Sequence, residues 1–152
     1  MRKLAEVEDA KALMTEARNW SVVKWLKEKK RVRRAADKAN HALDVLEQEV
    51  KASWEDELKL AYEVLAKPAE GHKPDPGALR PEVRHLAQQI KQADDKAWQA
   101  HLEAEDTFDK AERILSTALA REGCRKAIES WDLHEHAIAK AEAAIPSVRA
   151  TN

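Results

Sequence analysis

A segment rich in proline and glycine divides this chain into two helix-forming halves, and it constrains the fold more than any other feature. Residues 67–81 contain four of the five prolines and two of the three glycines. Proline lacks a backbone N–H and clashes with the preceding helical turn, so this segment cannot continue a helix. We therefore predict one long helix, a sharp reversal, and a second helix that runs back along the first.

The composition of the two halves indicates an all-α fold in a single domain over residues 1–152. Charged residues make up 36% of the chain, and alanine dominates the hydrophobic fraction of 43%. This balance is typical of long helices and coiled coils. We predict an elongated antiparallel helical hairpin or coiled-coil-like bundle, with a first arm at 2–67, a loop at 68–80, a second arm at 81–145 and a tail at 146–152.

Apolar residues recur at alternating three- and four-residue steps in both arms, which is the pattern of a coiled-coil seam. Two polar residues, Asp94 and His101, occupy seam positions in the second arm. The stripe changes phase at Gly123, and a glycine inside a helix costs about 1 kcal/mol relative to alanine. We therefore predict a bend near Gly123 and an end of the helix at Pro146. The sequence leaves open whether the first arm breaks near Asn19–Ser21, where two capping residues lie close together.

Two helices of about 100 Å each would form a thin core, because a hairpin of that shape buries little surface per residue. We expect the core to be completed by the bent-back ends of the chain or by a second copy, and we favour a homodimer. Residues equidistant from the reversal should face each other. This pairing places Trp54 near Trp98, and Trp20 and Trp25 near Trp131, so the tryptophans are predicted to be packing anchors.

The strongest local charge bias is a basic band at Lys24–Lys38. It contains eight bases and two acids, whereas residues 41–66 carry seven acids and two bases. Such a band binds phosphates with steep salt dependence, docks on the acidic half of a second copy, or forms a solvated helix face. We predict partner or polyanion contacts at Lys27, Lys29, Lys30, Arg31, Arg33 and Arg34.

Motifs for catalysis or for a cofactor are weak, and we predict no catalytic residue, no metal site and no cofactor. Glu82 and His85 have the Glu-x-x-His spacing of di-iron bundles, but the second pair that such a site needs is missing. His101 and Glu105 lie one turn apart, a spacing that also suits a metal. We favour a hydrogen-bonded seam histidine at His101, near Asp44, Glu47 and Gln48. Cys124 is predicted to be a packed thiol, because no histidine lies within helical reach.

These observations favour a non-enzymatic structural or protein-interaction module that self-associates in the cytoplasm. Binding of nucleic acid or another polyanion through the basic band is the alternative, and a metal-dependent helical-bundle enzyme is a distant one. No apolar run approaches the roughly 18 residues of a membrane span, so no membrane partner is expected. The identity of the partner, the biological process and the symmetry of the oligomer stay open.

Overall fold

The computed structural model describes residues 4–66 and 81–149, and within these ranges the chain forms four helices and no strand. The helices are α1 (Ala5–Ala17), α2 (Val22–Ala66), α3 (Pro81–Ile114) and α4 (Thr117–Arg149). The predicted all-α fold is therefore confirmed, and the helices share one hydrophobic core as a helical bundle. The predicted loop at 68–80 lies outside the described residues.

The first arm consists of two helices, because the chain breaks between Ala17 and Val22. The hydroxyl of Ser21 accepts a hydrogen bond from the Lys24 backbone N–H at 3.2 Å and caps the start of α2. The break that the sequence left open near Asn19–Ser21 is thus present. It reverses the chain and lays α1 back along α2, with Leu13 near the start of α2 and Leu4 near Val45.

The second arm breaks at Leu115 and Ser116, and the bend predicted near Gly123 is not confirmed. Leu115 adopts a left-handed φ of 48°. The Ser116 N–H donates to the Ala111 carbonyl at 3.3 Å, which is the long hydrogen bond of a Schellman ending. The Ser116 hydroxyl then caps α4 by accepting from the Leu119 N–H. Gly123 lies within α4, where the helix is uninterrupted.

The prediction that the second arm ends at Pro146 is also wrong, because α4 continues through Pro146 to Arg149. A proline inside a helix removes one backbone hydrogen bond to the residue four positions earlier. Pro146 lies in the last turn, so a single lost bond there does not stop the helix. Of the tail predicted at 146–152, residues 150–152 lie outside the described residues.

Helix α4 organises the bundle because it packs against all three other helices. Its buried face consists mainly of small residues around Trp131 and Ile138, which allow the neighbouring axes to approach closely. Contacts of Trp131 with Asn40 and of His134 with Glu47 show that α4 runs parallel to α2. The bent-back ends α1 and α4 thus complete the core within one chain, which was one of the two expected solutions.

Candidate functional site

The six predicted partner residues lie on the first half of α2, and one of them has a structural role. Arg33 Nη2 lies 2.8 Å from Asp109 Oδ1 and 3.1 Å from Glu112 Oε1 on α3. Its guanidinium also sits 5.8 Å from the ring centroid of Phe108. Arg33 therefore ties α2 to α3, and its charge is neutralised within the chain.

The other predicted bases remain available to a partner. Within the described ranges, Lys27, Lys29, Lys30 and Arg34 form no ion pair, and Arg31 reaches only Glu28 at 3.7 Å. Helical spacing places an exposed set on one side of α2, which we call the basic row: Lys27, Lys30, Arg31, Arg34 and Lys38. The row lines a groove of about 760 Å³ between α1 and α2, together with Glu6 and Asp9 of α1.

A second candidate is a cleft of about 600 Å³ between α2 and α3, which we call the polar cleft. It forms because the backbones of α2 and α3 stay apart over most of their described length and are bridged by long side chains. Lys51 bridges to Asp94 at 2.8 Å on one side, and Arg33 bridges to α3 further along. Its remaining lining residues are mostly polar: Asn40, His41, Leu43, Asp44, Glu47, Gln48, Asp95, Trp98, His101 and His134.

A network of charged and polar side chains in the polar cleft joins three helices. Lys51 Nζ lies 3.1 Å from Glu47 Oε1 and 2.8 Å from Asp94 Oδ2, and His134 Nδ1 lies 3.4 Å from Glu47 Oε2. The His134 imidazole, helped by Asp94 and Lys51, lowers the pKa of Glu47 to about 2. Burial and the adjacent Glu47 carboxylate raise the pKa of Asp94. Glu47 is therefore a carboxylate at any pH of biological interest.

This network predicts a loss of stability in acid. Glu47 has a folded pKa below its ordinary value of 4.5, so its stabilising contribution is complete above pH 4.5 and is lost as the pH falls towards 2. The raised pKa of Asp94 acts in the opposite direction. We expect a net loss of about 1–2 kcal/mol over this range, measured by urea unfolding at a series of pH values. Glu47→Gln should flatten this dependence, whereas Glu103→Gln on the exposed surface of α3 should leave it unchanged.

Trp98 is the residue for which the packing prediction is wrong. Its side chain is 58% exposed, whereas Trp54, its expected partner, is buried. The Trp98 ring tilts over His101 at a centroid distance of 5.4 Å, and both line the polar cleft. The chain reversal did bring His101 to the same cleft as Asp44, Glu47 and Gln48. The carboxylate that His101 contacts, however, is that of Glu105, with Nε2 at 3.2 Å from Oε1.

The other residues that the sequence singled out for chemistry, Glu82, His85 and Cys124, lie outside the polar cleft. Glu82 and His85 are exposed, and the His85 ring contacts Gln89 at 3.0 Å. Cys124 is fully buried, and burial raises the pKa of its thiol to about 12, so the prediction of a packed thiol is confirmed. Across the two described ranges, no group of three or more His, Cys, Asp or Glu side chains is placed to hold a metal ion.

Sequence reasoning found part of the polar cleft and missed the rest. The seam position of His101 was its signal, since a polar residue in an apolar stripe needs a partner. Lys51, which joins α2 to Asp94 of α3, and His134 were both missed. His134 was missed because no local pattern shows that α4 folds back to lie parallel to α2. That arrangement is what brings His134 to the floor of the cleft.

No protein-family model, curated protein or solved structure matches this chain. Among the helices of the described residues, none is both long and apolar enough to cross a membrane. The basic row and the polar cleft are therefore the features from which function has to be inferred.

Proposed function

We propose that this protein is a non-enzymatic interaction module that self-associates as a homodimer, with the basic row of one copy on the acidic half of α2 in the other. In this proposal the chain is a single elongated helical domain, in which α2 and α3 run in opposite directions and α4 packs against both. The sequence-based expectation of a cytoplasmic location is retained. The observation that carries the proposal is the segregation of exposed charge along α2.

The exposed side of α2 supports this arrangement through its order of residues. The basic row occupies residues 27–38, Val45 follows with 43% of its side chain exposed, and the exposed acids Glu55 and Asp56 come after it, with one exposed base, Lys59, beyond them. Val45 also lines an open groove of about 600 Å³ beyond the N-terminal end of α1, with Leu4, Ala42 and Leu46. Bases, an apolar centre and acids thus follow one another along a single helix.

A second copy related by a two-fold axis would bring the basic part of each α2 opposite the acidic part of the other. Two α2 helices lying antiparallel around residues 42–45 would place the basic row of each copy near the acids of the other, and Val45 near the axis. Such an interface is isologous, since the same patch is used by both copies. Opposite charges steer the encounter and set the register, while the apolar centre contributes burial.

Charge reversal tests this proposal. Arg31→Glu with Arg34→Glu should weaken dimerisation about tenfold, because each exposed ion pair contributes about 0.2–1 kcal/mol and symmetry doubles the number lost. Glu55→Lys with Asp56→Lys should weaken it similarly, and combining all four substitutions should restore it. Sedimentation over a concentration series measures the dimer, and circular dichroism checks the fold. A wild-type chain that stays monomeric at high concentration would refute the proposal.

The second candidate function is binding of nucleic acid or another polyanion, and the unpaired bases of the basic row favour it. The same variants separate the two functions. Reversing Glu55 and Asp56 removes negative charge, so it should strengthen binding to a polyanion while it weakens the dimer. Binding to a heparin column or to a labelled single-stranded oligonucleotide, with and without added salt, measures polyanion binding.

A further inference from the structure

The space between α2 and α3 holds polar atoms that the chain itself leaves unsatisfied. Two buried side-chain polar atoms form no close hydrogen bond within the described part of the chain: Trp25 Nε1, and His134 Nδ1, whose contact with Glu47 Oε2 is long at 3.4 Å. His134 lines the polar cleft. Trp25, which is only 4% exposed, lines a smaller cavity of about 30 Å³ that shares Asn40 and His101 with the cleft. The indole N–H of Trp25 is a donor, so an acceptor would satisfy it and a cation would not; the case for a ligand of the polar cleft depends on the residues that line the cleft itself.

The charge of the polar cleft selects cations. Four carboxylates line it, and Lys51 is the one base among its lining residues, so with neutral histidines the net charge is −3: Asp44, Glu47, Asp94 and Asp95. The Lys51 ammonium already sits between two of these groups, Glu47 and Asp94. This contact shows that the walls accept an alkylammonium group. Asp95 is exposed and forms no ion pair in the described ranges, so it remains for a ligand.

Trp98 supplies a second recognition element on the wall of the cleft. The other four tryptophans are at most 5% exposed, whereas Trp98 is 58% exposed. Such exposure contributes little to the core, but it presents an indole face beside carboxylates. Tryptophan is the best side chain for cation–π attraction, and an aromatic face flanked by acids is a common way to bind ammonium groups.

We propose that the polar cleft is a binding site for a small organic cation, an amine or a quaternary ammonium compound. The charged group would lie between the Trp98 ring and the carboxylates of Asp44 and Asp95, while the rest of the ligand extends along the cleft. The volume of about 600 Å³ falls within the range of small-molecule sites. A bare metal ion is a poorer match, since the described residues place no group of three ligands around one point.

The test is a titration of the full chain with tetramethylammonium chloride and with butylammonium chloride, followed by ¹H–¹⁵N NMR. We expect the indole N–H signal of Trp98 to shift and saturate with at least one probe. The same ionic strength of sodium chloride should produce no saturating shift. The Trp98→Leu variant identifies the signal by its disappearance. We expect this variant to bind the effective probe about fivefold more weakly, as judged from the remaining cleft signals.

Matched variants separate this site from general electrostatics and from the proposed dimer. Asp95→Asn should weaken binding about threefold to fivefold, whereas Glu103→Gln, an exposed charge loss on the same helix outside the cleft, should leave it unchanged. Neither Trp98 nor Asp95 belongs to the basic row, so sedimentation of these variants should match the wild type. The proposal is overturned if neither probe shifts Trp98, if magnesium chloride binds as tightly, or if Trp98→Leu binds unchanged.

Discussion

Replacing Trp131 with alanine is expected to destabilise the fold by about 3–5 kcal/mol. The Trp131 side chain is 1% exposed, and its Nε1–H donates to Asn40 Oδ1 at 2.8 Å, joining α4 to α2. Alanine would leave a cavity next to Trp25 and Phe108 and would deprive Asn40 of its donor. Because small domains are stable by only about 5–15 kcal/mol, this loss should be visible as a large shift of the urea midpoint.

Trp98 provides the matched control, because the same substitution there removes an exposed ring. Trp98→Ala should change the free energy of unfolding by no more than about 0.5 kcal/mol. Trp131→Phe keeps most of the buried area but loses the hydrogen bond, and we expect an intermediate loss of about 1–2 kcal/mol. Equal effects of the alanine substitutions at positions 98 and 131 would contradict the core position given to Trp131.

Replacing Gly123 with alanine is expected to destabilise the protein by about 1–2 kcal/mol, opposite to the helix-propensity effect. Propensity alone predicts a gain of about 1 kcal/mol, because alanine is the better helix former. An added Cβ, however, would lie 2.9 Å from Phe108 Cδ1. Phe108 is 6% exposed and stacks on Trp25 at a centroid distance of 5.8 Å, so its ring has little room to move. Overpacking of this kind costs about 1–3 kcal/mol.

A double-mutant cycle with Phe108→Ala tests the cause of this loss. Without the ring, Gly123→Ala should become neutral or stabilising by up to about 1 kcal/mol, so the two substitutions should be strongly non-additive. Urea unfolding of the four proteins measures the coupling free energy. Stabilisation by Gly123→Ala in the wild-type background would show that Phe108 does not restrict this position.

Of the two turns within the arms, the one near Ser21 could be predicted from the sequence and the one at Leu115 could not. Ser21 is a good N-cap, and the sequence marked the break beside it, because the cap acts on backbone groups only a few residues away. Leu115 carries no such signal, since a leucine is a poor choice for a left-handed residue at a helix end. The sequence analysis placed the bend of the second arm near Gly123 instead. Its lack of a side chain serves the close approach of Phe108 and has no role in a turn.

In the polar cleft, too, some features follow from nearby residues in the sequence, and others depend on how distant helices pack. The side chains of Asp94 and His101 interrupt an apolar stripe, so a polar site in this part of α3 could be expected. The exposure of Trp98 could not, because its pairing with Trp54 across the predicted reversal made Trp98 a packing anchor. It is exposed because α4, and not α2, packs closely along α3.

The sequence by itself determined the all-α fold, the start of α3 at Pro81 and the segregation of charge along the first arm. These depend on helix propensity, on proline chemistry and on the order of charged residues, all of which act over a few positions. Only the tertiary structure decided that α1 and α4 fold back to complete the core, that Arg33 is bound to α3, and that Lys51, Asp94 and His134 meet. Those outcomes depend on which apolar faces pack best between helices that are far apart in sequence. Small side chains on the buried face of α4 let the other three helices approach it closely, so α4 lies at the centre of the bundle.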